Sequence, residues 1–258
     1  MPISIVNNTD RVSFQGKLYE GTRDSAGLVA GFRWVGNASA VKFGLQQEEV
    51  EAKESYSGNR LVDSVLVKPG QATLSFEFSW LTKGNVEMGL NSSQVSNAGT
   101  SVTAETQGTV AVGDYIFSKH GNITSLVITD SAGSPATLTL NTHYTLEDAA
   151  YGRIKIVSLG SFTQPFKLAY TYAQEILFPF YVNNGLERYF RFEGLNTAVS
   201  PNKKLAYEFY RCKPKAISEF NLIDEEFNKF PIEARVLADP TRAADANFLQ
   251  FGRYIPLE

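Results

Sequence analysis

The chain predicts a mainly-β protein: a β-sandwich or barrel-like scaffold, interrupted by a small inserted β-sandwich, with one short helix. Three observations point there. Phe and Tyr, which favour half-buried pleated surfaces, number 18 and 12 among the 258 residues. Twenty Gly supply the turns that many short strands need. Apolar and polar residues alternate with a period of two in segment after segment, the pattern of a strand with one face on a core.

Taken in order, residues 32–35 and 40–45 form the first pair of runs, around the turn signal Gly36-Asn37. Residues 46–54 hold four Glu, and Ser55, Tyr56, Ser57, Gly58 and Asn59 follow. This stretch reads as a solvated loop, or as a protruding arm that orders on meeting a neighbour. Residues 65–67 and 73–80 are the next strands. In the second, Leu74, Phe76, Phe78 and Trp80 alternate with Thr73, Ser75, Glu77 and Ser79. Pro69-Gly70 between them predicts a hairpin or tight loop. A short helix is expected over 84–90.

Polar residues 91–100 and Gln174-Glu175 bracket a separate unit. The predicted plan is a scaffold of 1–100 plus 173–258 and an inserted domain of 101–172. Inside the insert, strands are expected at 110–117, 123–129, 136–140, 153–157 and 166–172. Beyond it, 189–192, 205–210 and 230–236 alternate. In the last of these Phe230, Ile232, Ala234 and Val236 share a face opposite Glu233 and Arg235. Residues 217–229, with Asp224, Glu225 and Glu226, read as a loop.

Charge argues against a nucleic-acid grip. Lys and Arg total 24 against 27 Asp and Glu, and no basic stripe appears. The densest basic stretch, Lys203, Lys204, Arg211, Lys213 and Lys215, reads as the solvated face and end of one strand. Cys212 is the single cysteine, so no internal disulfide can form. No apolar run approaches the roughly 20 residues of a membrane span. Met1 to Asn8 has neither a basic n-region nor a long apolar stretch, so it does not read as a signal peptide. The Asn-x-Ser/Thr sequences at Asn7, Asn37, Asn91 and Asn122 are read as chance.

The search for chemistry assigns no catalytic, cofactor-binding or metal residue. His120 and His143 have no Cys or His at ligand spacing. Cys212 lies between Arg211 and Lys213, which can lower a thiol pKa, but it sits on a strand pattern far in sequence from either His. No nucleophile elbow, phosphate loop or dinucleotide fingerprint is present. Carboxylate neighbours such as Asp224 with Glu225 or Glu226, and Glu147 with Asp148, are common in a chain this acidic.

Four stretches carry a family resemblance. They are Val41-Lys42-Phe43-Gly44-Leu45 with the Glu-rich segment and Ser57-Gly58-Asn59; the strand and helix of 72–90; His143-Tyr144-Thr145-Leu146 with Tyr151-Gly152-Arg153-Ile154-Lys155-Ile156; and Phe190-Arg191-Phe192-Glu193-Gly194-Leu195-Asn196 leading through 204–211 to 230–240. In order and spacing the chain resembles major tail tube proteins of long-tailed bacteriophages. The resemblance implies a non-enzymatic virion protein that is assembled in the host cytoplasm. Its partners would be itself, in stacked homo-oligomeric and hexameric rings, and the tape-measure, tail-tip and terminator proteins. DNA would pass through the lumen without sequence-specific binding, and no cofactor or membrane would be involved. The resemblance further implies an inter-ring contact loop, here Gln46, Gln47, Glu48, Glu49, Glu51, Lys53, Glu54, Tyr56 and Asn59, and an insert that decorates the tube's outside.

Two other readings compete. One is a β-sandwich binding module, a carbohydrate or receptor adhesin, which clustered exposed aromatics would favour. The other is a β-rich hydrolase, which a functional carboxylate pair would favour.

Overall fold

The computed structural model describes residues 11–242 and 250–257. The signal-peptide reading of Met1 to Asn8 and the Asn7 sequence lie outside the described residues. The protein is mainly β, with a single helix among the described residues. It divides into two compact units, Met1–Ser93 with Phe178–Glu258, and Gln94–Leu177.

The first unit opens with β1 (Phe14–Arg23), β2 (Val29–Trp34), β3 (Ala38–Lys53), β4 (Val62–Phe78) and α1 (Lys83–Gly89). The second holds β5 (Val95–Asn97), β6 (Ser101–Thr106), β7 (Tyr115–Phe117), β8 (Ile123–Thr129), β9 (Tyr144–Asp148), β10 (Arg153–Ile156), β11 (Lys167–Tyr172) and β12 (Glu175–Leu177). The first unit resumes with β13 (Arg188–Asn196), β14 (Lys203–Pro214), β15 (Phe230–Val236) and β16 (Gly252–Leu257).

One antiparallel sheet organises the first unit, in the order β2-β1-β13-β14-β15-β4-β3. β14 is shared along one edge: Lys204 to Phe209 face β16, while Cys212 to Pro214 face β15. A register shift between β13 and β14 separates the pairs Phe190–Phe209 and Arg188–Cys212. Such an extra residue flips the side-chain alternation, so Phe209 and Cys212 both enter the core. The sheet curls over itself. Phe76 of β4 and Phe190 of β13 stand three strands apart in the sheet order, yet their ring centroids are 5.3 Å apart. Leu18, Leu74, Phe78, Phe230, Ile232 and Val236 complete that interior, each worth about 1.5–3 kcal/mol when fully buried. In β15 the expected inward face is the buried one. α1 packs its C-terminal end on this core. A Cβ at Gly89 would fall 2.0 Å from the Phe230 ring, so only glycine fits.

The second unit stacks two three-stranded sheets, β7-β10-β9 and β6-β11-β8. Ile116, Ile128, Leu138, Ile154, Ile156, Phe166 and Leu168 fill the space between them. β5 and β12 pair with each other, Val95 opposite Leu177, and close the unit at its two chain ends.

Several sequence expectations are corrected. Pro69-Gly70 makes no turn: β4 runs straight through it. Proline is tolerated there because β15 covers β4 only from Ala72 to Phe78, leaving that edge open, and because the β3 register shifts between Leu45 and Gln47. Residues 46–53 are not a loop but the distal half of β3, ordered within the single chain by pairing with β4. The turn lies later, between Lys53 and Val62. In the insert, 110–114 and 136–140 are not strands. The first contains Gly113 in a left-handed conformation, and the second makes only isolated bridges. Trp80 lies past the end of β4 and is half exposed. β1, β6 and β16 had no clear alternating pattern: β1 buries Glu20 and carries two glycines, and the outer strands β6 and β16 keep much of their surface in water.

Candidate functional site

Beyond Leu45 and Ala72, β3 and β4 leave the sheet and continue as a two-stranded ribbon. β15 ends opposite Ala72, so among the described residues no third strand pairs with the ribbon. Every described residue from 45 to 68 is exposed except Glu54. The register sets what each face carries, because directly opposed residues point the same way. One face has Val50 opposite Leu66, Ala52 opposite Ser64 and Glu48 opposite Lys68. The other sets Glu49 against Val67 and Glu51 against Val65. The glutamates fit a strand here because an exposed edge asks for no burial, and charge along it discourages indiscriminate pairing.

Glu54 builds the tip. Its backbone N–H donates to the Leu61 carbonyl at 2.9 Å, which closes the ribbon. Its carboxylate accepts from the backbone N–H groups of Tyr56 (3.1 Å) and Ser57 (2.8 Å), and from the Ser57 hydroxyl. That hydroxyl bond, with the backbone donors behind it, holds the carboxyl below its ordinary pKa. Gly58 and Arg60 take left-handed conformations that turn the chain back. Asn59 donates its backbone N–H to Ser57 Oγ at 3.2 Å. The result presents Tyr56, 84% exposed, at the far end.

The predicted contact residues are therefore divided. Gln47, Glu49 and Glu51 alternate with Gln46 and Glu48 onto opposite faces, Lys53 ends the strand, and Glu54 turns inward while Tyr56 and Asn59 lie in the tip. The sequence reading placed a strand at 65–67 but missed that it returns alongside the Glu-rich stretch. Val62, Val65, Leu66 and Val67 add the larger apolar surface, and the run 65–67 was the signal.

The remaining candidates have structural occupations. Cys212 is fully buried, and burial pushes its thiol pKa upward, away from the thiolate. His120 Nδ1 lies 2.7 Å from Glu175 and its ring stacks on Tyr172 at 3.8 Å. Asn97, then His120, hold the Glu175 carboxyl below its usual range. His143 Nδ1 accepts the Thr139 N–H at 2.9 Å. Asp224 accepts from Asn221 and the Glu226 N–H, and Asp148 from the N–H groups of Ala150 and Tyr151. In the basic stretch, Arg211 grips Glu187 through two nitrogens and Lys215 pairs with Glu233. Among the described residues no three His, Cys, Asp or Glu side chains converge as a metal site would require.

Charged side chains instead brace the curled sheet. Glu208 of β14 is paired on both sides, to Arg191 of β13 and to Arg253 of β16 at 2.7 Å. Arg23 Nη1 reaches the Tyr210 carbonyl at 2.6 Å and Asp239 at 2.8 Å. Burial pulls the Asp239 pKa up, but hydrogen bonds from Arg23 and Thr241 outweigh it and hold the carboxyl low. No helix among the described residues is long and apolar enough to cross a membrane.

A family model described as protein of unknown function UCP028589 matches residues 11–255. No curated protein matches the chain.

Proposed function

The chain belongs to the UCP028589 family, and from that premise and its own surfaces we propose that it is a self-assembling structural subunit, the major tube protein of a long phage tail. The carrying observation is the ribbon. A two-stranded ribbon standing alone in water is marginal at best, yet this one displays Val50, Tyr56, Leu61, Val62, Val65, Leu66 and Val67 to solvent. Such a surface is stabilised when a neighbouring copy covers it. A ribbon that docks on a different patch of the next copy makes a head-to-tail contact, and repeated head-to-tail contacts build rings and filaments.

Two further features support the reading. The sheet ends in the edge strands β2 and β3; pairing between copies would close both. The net charge of −3 suits a lumen through which DNA slides, since a strongly basic wall would hold phosphates. On this proposal the protein resides in the virion tail, with tape-measure, tail-tip and terminator proteins as its other neighbours. It has no catalytic task.

Negative-stain electron microscopy of the purified protein across concentration and salt tests this. Stacked rings or hollow tubes of uniform diameter are the expected result. A strict monomer under every condition counts against it.

A further inference from the structure

The outward face of the β7-β10-β9 sheet in the second unit has no role in the assembly described above. Ile116, Ile154 and Ile156 point inward and are buried. Alternation therefore sends Tyr115, Phe117, Arg153 and Lys155 outward. Register places Phe117 beside Arg153, and Tyr115 beside Lys155, which in turn faces Thr145. Tyr115 is 48% and Phe117 55% exposed, although aromatic side chains on a small sandwich ordinarily go to its core. Tyr151, 72% exposed, stands two residues ahead of Arg153 in the adjoining turn. Among the described residues β7 pairs with β10 alone, so no strand flanks it on its other side, where the Gln107 side chain donates to the Phe117 carbonyl at 3.4 Å.

Polar groups surround these rings. The Lys155 ammonium lies 5.6 Å from the Tyr115 ring centroid, and Arg153 lies 3.4 Å from Glu147. Same-face residues on one strand are about 6.6 Å apart, so Tyr115 and Phe117 offer two ring faces in a row beside donors and an acceptor. The negative face of an aromatic ring attracts polarised C–H groups, and Arg, Lys, Glu and Thr together can meet hydroxyls as donors or acceptors. Single-stranded nucleic acid also stacks on aromatic platforms, but its affinity rests on cations along the backbone. Residues 94–177 hold four Lys and Arg against six Asp and Glu, an acidic unit that repels a polyanion.

We propose that this face is a binding site for neutral polysaccharide, with Tyr115 and Phe117 stacking on sugar rings and Arg153, Lys155, Glu147 and Thr145 meeting their hydroxyls. The site is independent of the tube reading and survives its failure.

The test uses the full chain on an array of neutral glucose-, galactose-, mannose- and N-acetylglucosamine-based oligosaccharides, with an oligo-dT strand as the competing probe. Saturable binding to at least one neutral sugar class is expected, weakened at least tenfold in Tyr115→Thr/Phe117→Thr. Both side chains are exposed, so the double variant keeps the wild-type thermal transition. Absence of binding to every sugar overturns the proposal, as does binding that the double variant leaves unchanged. Preference for oligo-dT transfers the face to nucleic acid. Loss of self-association in the double variant, without sugar binding by the wild type, reassigns it to contact between copies.

Discussion

Val50 stands directly across the ribbon from Leu66, and both are about half exposed, at 49% and 58%. An aliphatic cross-strand pair contributes roughly 0.2–1 kcal/mol to a hairpin, a modest return for leaving two apolar side chains in water. The pair gains more when a second surface covers it. Threonine is β-branched and suits a strand, so replacing both removes apolar surface without lowering the preference for strand. Val50→Thr/Leu66→Thr is expected to change monomer stability by no more than about 0.5 kcal/mol and to abolish assembly. Thermal unfolding and electron microscopy on the same preparation separate the two effects.

The tip should respond to acid through Glu54. Its folded-state pKa lies below the ordinary 4.5. A depressed carboxylate contributes order that is fully present above the unfolded value and is lost as pH falls through the folded one. The N–H groups of Tyr56, Ser57 and, at 3.4 Å, Leu61 donate to this carboxylate, so their exchange is expected to be slow at neutral pH and to quicken below about 4.5 once intrinsic exchange is corrected for. Glu54→Gln should exchange quickly at all pH values. A tip whose protection ignores both pH and this substitution would remove Glu54 from the role given to it.

Arg23 and Asp239 form a pair with side chains only 5% and 1% exposed. Removing one member strands the other charge in the interior. Asp239→Ala should cost about 3–5 kcal/mol in denaturant unfolding, and Arg23→Met/Asp239→Leu should recover much of the loss. Equal destabilisation by the single and double changes would mean that packing, not charge, dominates the site.

The pairing of Val95 with Leu177 places the chain ends of the second unit side by side, with directly opposed Cα atoms about 4.5–5.5 Å apart. Excising Gln94 to Leu177 and joining the cut ends through a short Gly-Ser bridge should leave a soluble first unit with a cooperative transition. The excised segment, expressed alone, should give dispersed amide resonances. Its core needs nothing from outside 94–177. An insoluble or molten scaffold would show that the units depend on each other for folding.

Sequence alone determined what depends on near neighbours. Alternation at 73–78 and 230–236 identified strands and their buried faces, because a period of two is written residue by residue. The helix near 84–90 was legible in the same local way; the insert was read at 101–172, whereas the compact unit spans Gln94–Leu177. The Glu-rich stretch was marked as unusual, but its form was not readable. Whether Glu48, Glu49 and Glu51 lie in a loop or a strand depends on the β4 segment opposite, and Pro69-Gly70 concealed that partner. The aromatic face at Tyr115 and Phe117 was equally hidden. An alternating aromatic reads the same whether it points into a core or into water, and only the position of Ile116 between two packed sheets settles which. Tertiary structure also decided the ion pairs: Arg23 with Asp239, and Glu208 between Arg191 and Arg253, join residues far apart in the chain. The physical reason is that pleat and propensity act over a few residues, whereas strand pairing, sheet curvature and charge burial are settled only when distant segments meet.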